Sequence, residues 1–263
     1  EIKMNNEDKN KSIVKNKLGN PTYVWQSGQE RRLKLIEKYL VENQSNIVVD
    51  LGCGVGAYAH AIHKKKYSVI GLDIDKERIN EAKLKTKAMN NGEFIDFFIS
   101  VGELMPFANN SIDAIILNEV IEHVDNEKMV IDEIDRILRP GGIAIIFAPN
   151  ILFPFETHGC YIGKKFIFRN IPFINWLPKI IRNKLVPHAR IYSKKNITGQ
   201  FTTDNLKLQY HSYVFPGFNN LERRSKVLAK FLRWSTYKLE HNFFAQFGIS
   251  HFMVVRKKQG KNE

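Results

Sequence analysis

The chain has 263 residues, 43% hydrophobic and 25% charged. That composition excludes a wholly disordered chain and suits one large domain, or a core domain with an insertion. The formal charge of +13 is uneven: residues 1–149 hold 20 Lys+Arg against 22 Asp+Glu, whereas residues 150–263 hold 20 against 5 and carry 20 of the 30 aromatic rings, so the two parts meet different surroundings.

In chain order, residues 1–21 are Lys/Asn-rich without apolar period and read as a mobile arm. Residues 22–43 turn helical in pattern, with Leu33, Ile36, Tyr39 and Leu40 as the buried stripe. Ile47-Val48-Val49 is a short buried strand ending in Asp50 and a glycine cluster. Residues 57–65 read as a helix, Tyr67 to Leu72 as a second strand ending at Asp73, and residues 76–89 as a charged helix. Phe94 to Ile99 and Ile112 to Leu117 are the third and fourth strands. A helix over 126–138 closes at Arg139-Pro140-Gly141-Gly142, and Ile143 to Ala148 is the fifth strand. Five alternations of strand and helix with short connections predict an α/β fold, a doubly wound Rossmann-like parallel sheet. Its near-continuous Ile/Val strands suit burial on both faces. Further on, 193–201 read as a helix, Leu206 to Val214 as a strand, 221–239 as a basic helix and Gly248 to Arg256 as a final strand.

The chemistry concentrates at Asp50-Leu51-Gly52-Cys53-Gly54-Val55-Gly56. Glycines there permit a tight turn and close approach of a ligand to the backbone. In an open α/β sheet a nucleotide-like ligand sits beyond the carboxyl ends of the strands. Asp73, 21 residues after Gly52, ends the second strand, where a carboxylate can accept from ribose hydroxyls. The glycines alone also fit the dinucleotide pattern G-x-G-x-x-A. Asp50 separates the two: it would repel a pyrophosphate, but suits S-adenosylmethionine, which has no phosphate and presents a sulfonium and an ammonium. The plain alternative is a strand-terminal Asp that caps the next helix.

VVDLGCGVG, LDID at 72–75, GELMPF at 102–107 and RILRPGG at 136–142 resemble the class I S-adenosylmethionine-dependent methyltransferases over about residues 30–150. The resemblance implies that Asp50 orients the methionine amine through water and that Gly52, Cys53 and Gly54 line the methionine portion. It implies that Asp73 holds the ribose with Ile74 against the adenine, that Gly102 and Glu103 lie near the adenine edge, and that Asn118 and Glu119 face the methionine portion. Val101 stands where many relatives carry an Asp, so their contact to the adenine amino group is not expected from that position. The family's sheet has seven strands and ends in an antiparallel hairpin, which Leu206–Val214 and Gly248–Arg256 would supply.

NEVIEHV places Glu119, Glu122 and His123 at i, i+3 and i+4, on one face if helical. Three readings compete. The residues bond only locally or touch the cofactor. His123 is a general base toward a substrate hydroxyl. Or the three ligate a divalent cation, as in some quinone-ring O-methyltransferases, which this stretch resembles. The catalytic assignment goes to His123 and no metal is assigned.

From the fifth strand to about residue 192 the chain is too long for a simple connection and reads as a lid over the cofactor end of the sheet. His158, His188, Arg190 and Tyr192 are its candidate polar pocket groups, each also open to an ordinary structural role. Residues 164–185 mix rings and aliphatics with six cations. A packed lid with a small aromatic core and solvated lysines is one reading. An anionic membrane surface is the next. Breaks at Pro172, Pro178 and Pro187 and the lack of any nucleic-acid module count against RNA or DNA.

The expected division is an arm at 1–21, a cofactor-binding core at 22–150, a lid at 151–192, and at 193–263 the rest of the sheet with a basic helical insertion. The longest uncharged stretch, Pro140 to Phe155, is broken by glycines and prolines, so no transmembrane helix is expected. The polar start and two cysteines point to a reducing, cytoplasmic setting, with peripheral membrane contact open. The expected activity is methyl transfer to a small-molecule or lipid-linked acceptor, at oxygen. The alternatives are a nucleic-acid methyltransferase and a non-catalytic cofactor-binding module.

Overall fold

A computed structural model of the chain describes residues 23, 25–89, 94–163, 165–240 and 242–259. The expected arm, and Lys164 in the lid, lie outside them. Seven strands form one sheet: β1 (Ile47–Leu51), β2 (Ser68–Asp73), β3 (Asp96–Ile99), β4 (Ile112–Asn118), β5 (Leu138–Pro149), then β10 (Leu206–Val214) and β11 (Ser250–Lys257), in the order β10-β11-β5-β4-β1-β2-β3. The five first strands are parallel, and β11 runs antiparallel to both β5 and β10. This is the expected Rossmann-like sheet with its antiparallel hairpin.

The helices follow from local signals. α1 (Ser27–Glu42) buries Leu33, Ile36, Tyr39 and Leu40, the stripe read from the sequence. α2 (Ala57–His63) follows the glycine turn. α3 (Lys76–Ala88) starts where Asp75 accepts the amides of Glu77 and Arg78. α4 (Glu127–Ile137) is capped by Asn126 and buries Val130, Ile131, Ile134 and Ile137. These helices sandwich the sheet, so β4 is buried from Ile112 to Leu117 and the core divides into one cluster on each sheet face. Burying each of its isoleucines contributes about 1.5–3 kcal/mol. Parallel register brings the ends of β1, β2, β4 and β5 to one edge of the sheet, where a ligand can reach all four.

Several boundaries differ from expectation; the first helix, for example, begins at Ser27 rather than at residue 22. Phe94 is solvent-exposed and β3 begins at Asp96. β5 begins at Leu138, because Leu138 already pairs with Ile112 before the register shifts across the Gly141–Gly142 bend. There Gly141 has φ +81°, and a Cβ on Gly142 would stand 2.9 Å from the Arg139 carbonyl. The basic stretch 221–239 is two helices rather than one.

The segment after β5 is joined to the core at a neck: Tyr192 N donates to Pro149 O at 3.0 Å and Ile151 N to Tyr192 O at 2.9 Å. It contains β6 (Phe155–Glu156) paired with β9 (Ile171–Pro172), β7 (Cys160–Ile162) paired with β8 (Lys165–Ile167), and α5 (Lys179–Leu185). Its buried cluster is aliphatic, built on Cys160, Ile174, Val186 and Ala189. Its aromatic rings pack beside that cluster rather than inside it: Tyr161 meets Phe166 and Phe173 meets Trp176, while Phe168, Phe173 and Trp176 are each at least half exposed. Then follow α6 (Lys194–Gln200), β10, α7 (Asn219–Glu222), α8 (Lys226–Leu239), a 3-10 turn over Phe243–Phe247, and β11. Ser225 caps α8 by accepting from Leu228 N, which separates it from α7.

Candidate active site

A cavity of about 930 Å³ lies at the carboxyl edge of the sheet. Its floor is the turn after β1. Gly52, Gly54 and Gly56 have φ of +70°, +55° and +80°, values that other residues adopt only at a cost. A Cβ on Gly52 would also lie 2.4 Å from Val120. Asp50, Gly52, Cys53, Gly54, Asn118, Glu119 and His123 line the cavity. Asp73, Ile74, Gly102 and Glu103 do not line it.

Those four have other surroundings. Asp73 is buried, accepting from Gly54 N at 2.8 Å and Asp75 N at 2.9 Å, so it ties the glycine turn to β2. Each of its oxygens keeps acceptor capacity. Ile74 is half exposed beside it. Gly102 is packed under Val130 and Leu51. Glu103 accepts the amides of Asp125 and Asn126 and holds the loop entering α4.

Asp50 is buried, and among the described residues no hydrogen-bond donor reaches its Oδ2. Burial, with Asp73 nearby, pushes its carboxyl up to about 7. Such an orphaned acceptor beside a glycine cradle fits a ligand bearing an ammonium group.

Opposite it stands Arg32 of α1, which the sequence reading missed. Its guanidinium donates to Asn118 Oδ1, to Glu119 Oε1 at 2.7 Å and to Ser250 Oγ at 2.8 Å, and lies 4.8 Å from the Phe147 ring centroid. Ser250 in turn donates to Glu119. Burial opposes ionisation of Glu119, but the Arg32 charge and the Ser250 hydroxyl hold its carboxyl below the ordinary value. Glu119 has φ +58°, a strained setting kept by these bonds. Nothing in QERRLKL separates Arg32 from a surface cation; only the docking of α1 across β4 and β11 does.

The positive φ at Glu119 also prevents the helix that would align NEVIEHV on one face. The stretch is a turn, closed by His123 N donating to Val120 O at 2.9 Å. Glu119 therefore joins Arg32, while Glu122 and His123 face His158 from the insertion. The side-chain ligand atoms of Glu122, His123 and His158 lie within 4.8 Å of one another. His123 Nδ1 donates to the His188 carbonyl at 3.1 Å, leaving Nε2 as the bare nitrogen, 3.8 Å from Glu122 Oε1. His158 Nδ1 donates to Glu156 Oε1 at 2.8 Å, and its Nε2 lies 3.7 Å from Glu122 Oε1. Glu122 is buried and neither oxygen has a hydrogen-bond partner among the described residues.

Electrostatics divide the roles. Burial pushes the Glu122 carboxyl up to about 7. Burial and the neighbouring His158 charge lower His123 to about 4, so it is a neutral imidazole near pH 7. Burial works against charge on His158, yet the Glu122 and Glu156 carboxylates raise it to about 10. Arg182 of α5 donates to Glu156 Oε2 at 3.0 Å and holds this support from within the segment after β5. The set could hold a divalent cation: one carboxylate and two imidazoles, each with Nδ1 already engaged, is a ligand group of the right chemistry. His158 was flagged from the sequence as a pocket group. Its meeting with Glu122 depends on how the segment after β5 folds.

Residues 49–146 match the family described as methyltransferase domain. Over these residues the chain is similar to a methyltransferase domain. Over 162 residues it is 31% identical to a mitochondrial ubiquinone biosynthesis O-methyltransferase of Dictyostelium discoideum, covering 54% of this chain and 48% of that one. Over 174 residues it is 28% identical to a ubiquinone biosynthesis O-methyltransferase of Rickettsia canadensis, covering 64% and 70%. The chain thus spans about half the length of the first of these curated relatives. In fold it is similar to a solved S-adenosylmethionine-dependent methyltransferase from Methanosarcina mazei, with TM-score 0.56 and 17% identity over 86% of this chain and 97% of that one. It is also similar to the cyclase SpnF, with TM-score 0.61 and 16% identity over 92% and 85%. The second likeness shows that this fold is not tied to one reaction.

Proposed function

We propose that the chain transfers a methyl group from S-adenosylmethionine to an oxygen of a small or lipid-linked acceptor. The observation that carries this reading is the buried Asp50, whose Oδ2 has no hydrogen-bond partner among the described residues and which lines, with Gly52 and Gly54, a cavity that also reaches His123 and His158. Bound there, S-adenosylmethionine would supply an electrophilic methyl group that needs little further activation.

The chain's residues then have separable tasks. Asp50 takes the donor ammonium. Arg32 fixes Asn118 and Glu119 at the end of β4. Asp73 holds the turn and offers its remaining acceptor capacity to the ribose, with Ile74 beside the base. Gly102 and Glu103 support the loop on that side. His123 Nε2 is the group assigned to accept the proton of an acceptor hydroxyl, a weak base because burial and the His158 charge keep it neutral. Placement of that hydroxyl in line with the methyl group supplies most of the rate. The relatives' names, ubiquinone biosynthesis O-methyltransferases, support oxygen as the site and a quinone-like ring as the acceptor class.

A second reading is favoured by the orphaned oxygens of Glu122: the Glu122–His123–His158 set holds a divalent cation, which supplies Lewis acidity toward the acceptor oxygen when bound. The two readings separate on one experiment. Titration calorimetry is expected to show S-adenosylmethionine binding that Asp50→Asn weakens at least about tenfold; equal binding by the variant overturns the donor assignment. Methyl transfer to a dihydroxylated aromatic test acceptor, assayed with and without a chelator, then decides between base and cation. Full activity in chelator favours His123 alone, and loss restored by added metal favours the cation.

A further inference from the structure

α8 presents two unlike faces. Its inner face holds the roof of the cavity. Ala229 is buried, Thr236 lines the cavity, and Arg233 donates to both Glu222 oxygens at 2.7 and 2.9 Å and to Ser27 Oγ at the start of α1. Arg31 of α1 lies 3.7 Å from the Tyr237 ring centroid and pairs with Glu240. The helix is therefore fixed to the core by this side alone.

The outer face reads Val227, Phe231, Trp234 and Lys238, at successive turns. Val227 is 81% exposed, and Phe231 and Trp234 are each 58% exposed. Lys226 and Lys230 flank this stripe and are exposed, while Lys238 Nζ stands 3.8 Å over the Trp234 ring. The turn after the helix adds Phe243 and Phe244, both exposed, and Phe247, which lines the cavity. On the lid, Trp176 and Phe168 also line the cavity while remaining half exposed, next to exposed Phe173 and Ile180. Aromatic groups thus rim the cavity from both sides. Burial within the fold does not account for them, because the inner residues of α8 and the aliphatic cluster of the lid already do the packing.

We infer that the outer face of α8, with the Phe243–Phe247 turn and the lid rim, docks on an anionic lipid bilayer. Exposed rings flanked by lysines on a helix anchored by its other face form an in-plane amphipathic element. The cations fit an anionic surface, and residues 150–263 carry 20 Lys+Arg against 5 Asp+Glu. Rings insert at the headgroup level while the lysine stems reach the phosphates. Docking so placed brings the cavity rim to the lipid surface, the direction from which a lipid-linked acceptor would enter. This last step rests on the proposed function; docking itself does not.

Flotation of the full chain with vesicles decides the matter, using phosphatidylcholine alone and phosphatidylcholine with about one-third phosphatidylglycerol, a strongly anionic surface. Recovery with the anionic vesicles only is expected, accompanied by a blue shift of tryptophan emission. The double variants Phe231→Ser/Trp234→Ser and Lys226→Glu/Lys230→Glu are each expected to cut the bound fraction about tenfold. Their S-adenosylmethionine binding, read by calorimetry, is expected to match wild type, which shows that the fold is intact. Equal recovery from both lipids, no recovery, or unchanged recovery of both variants overturns docking. So does a self-association that the Phe231→Ser/Trp234→Ser pair abolishes, or capture by a single-stranded RNA in preference to anionic vesicles. Loss of donor binding in wild type would overturn the proposed function and leave the docking result standing.

Discussion

At Asp50 the same burial that makes the site costs the protein stability. The carboxyl is raised to about 7, whereas in an unfolded chain it titrates near ~4. A raised folded value means that stability is full below the unfolded value and is lost as pH rises through the folded one. We expect the urea midpoint of the free protein to fall between about pH 4 and 7, and Asp50→Asn to flatten that fall. The cationic donor favours the ionised form, so its binding should release protons near neutrality. Calorimetry in two buffers of different ionisation enthalpy measures this, and a buffer-independent heat would count against it. His158 illustrates the opposite balance: two carboxylates outweigh burial and keep it charged, while His123, sharing the site, stays neutral.

Between elements, α1 packs tightly against the loop before α7. A Cβ on Gly217 would lie 2.6 Å from Gly28 Cα, whereas a Cβ on Gly28 would meet Gly217 at an ordinary 3.4 Å. Gly217→Ala must therefore move a helix, and Gly28→Ala need not. We expect the first to lower stability by about 1–3 kcal/mol and to weaken donor binding, with the second within about 1 kcal/mol of wild type; denaturant melts of both variants check this. A second element-level test lies in the hairpin. His211 Nε2 donates to His251 Nδ1 at 3.0 Å, and His251 Nε2 donates to the Tyr192 carbonyl at the lid neck at 2.9 Å. Burial and the neighbouring imidazole lower His211 to about 4. Because the unfolded chain takes its proton first, stability from this pair should fall as pH drops from about 6.5 toward 4. His211→Gln should reduce that slope in thermal melts.

For the molecule as a whole, the sheet sets where chemistry is possible and the two late segments set what reaches it. No helix among the described residues is long and apolar enough to cross a membrane. The sequence by itself determined the sheet, because Ile/Val runs alternating with amphipathic helices admit few other arrangements. It also determined the glycine turn, because positive φ at Gly52, Gly54 and Gly56 is written in residue type. The placement of Asp50, Asn118 and Glu119 at one edge of the sheet follows from strand ends in parallel register, whereas that of His123 depends on the turn after β4. Only the tertiary structure decided the partners of those groups. Arg32 comes from 86 residues before Asn118, and Ser250 from 131 residues after Glu119. His158 reaches Glu122 from the segment after β5, where Glu156 and Arg182 brace it. Such meetings depend on how helices and insertions dock on the sheet, a matter of long-range packing that no local periodicity encodes.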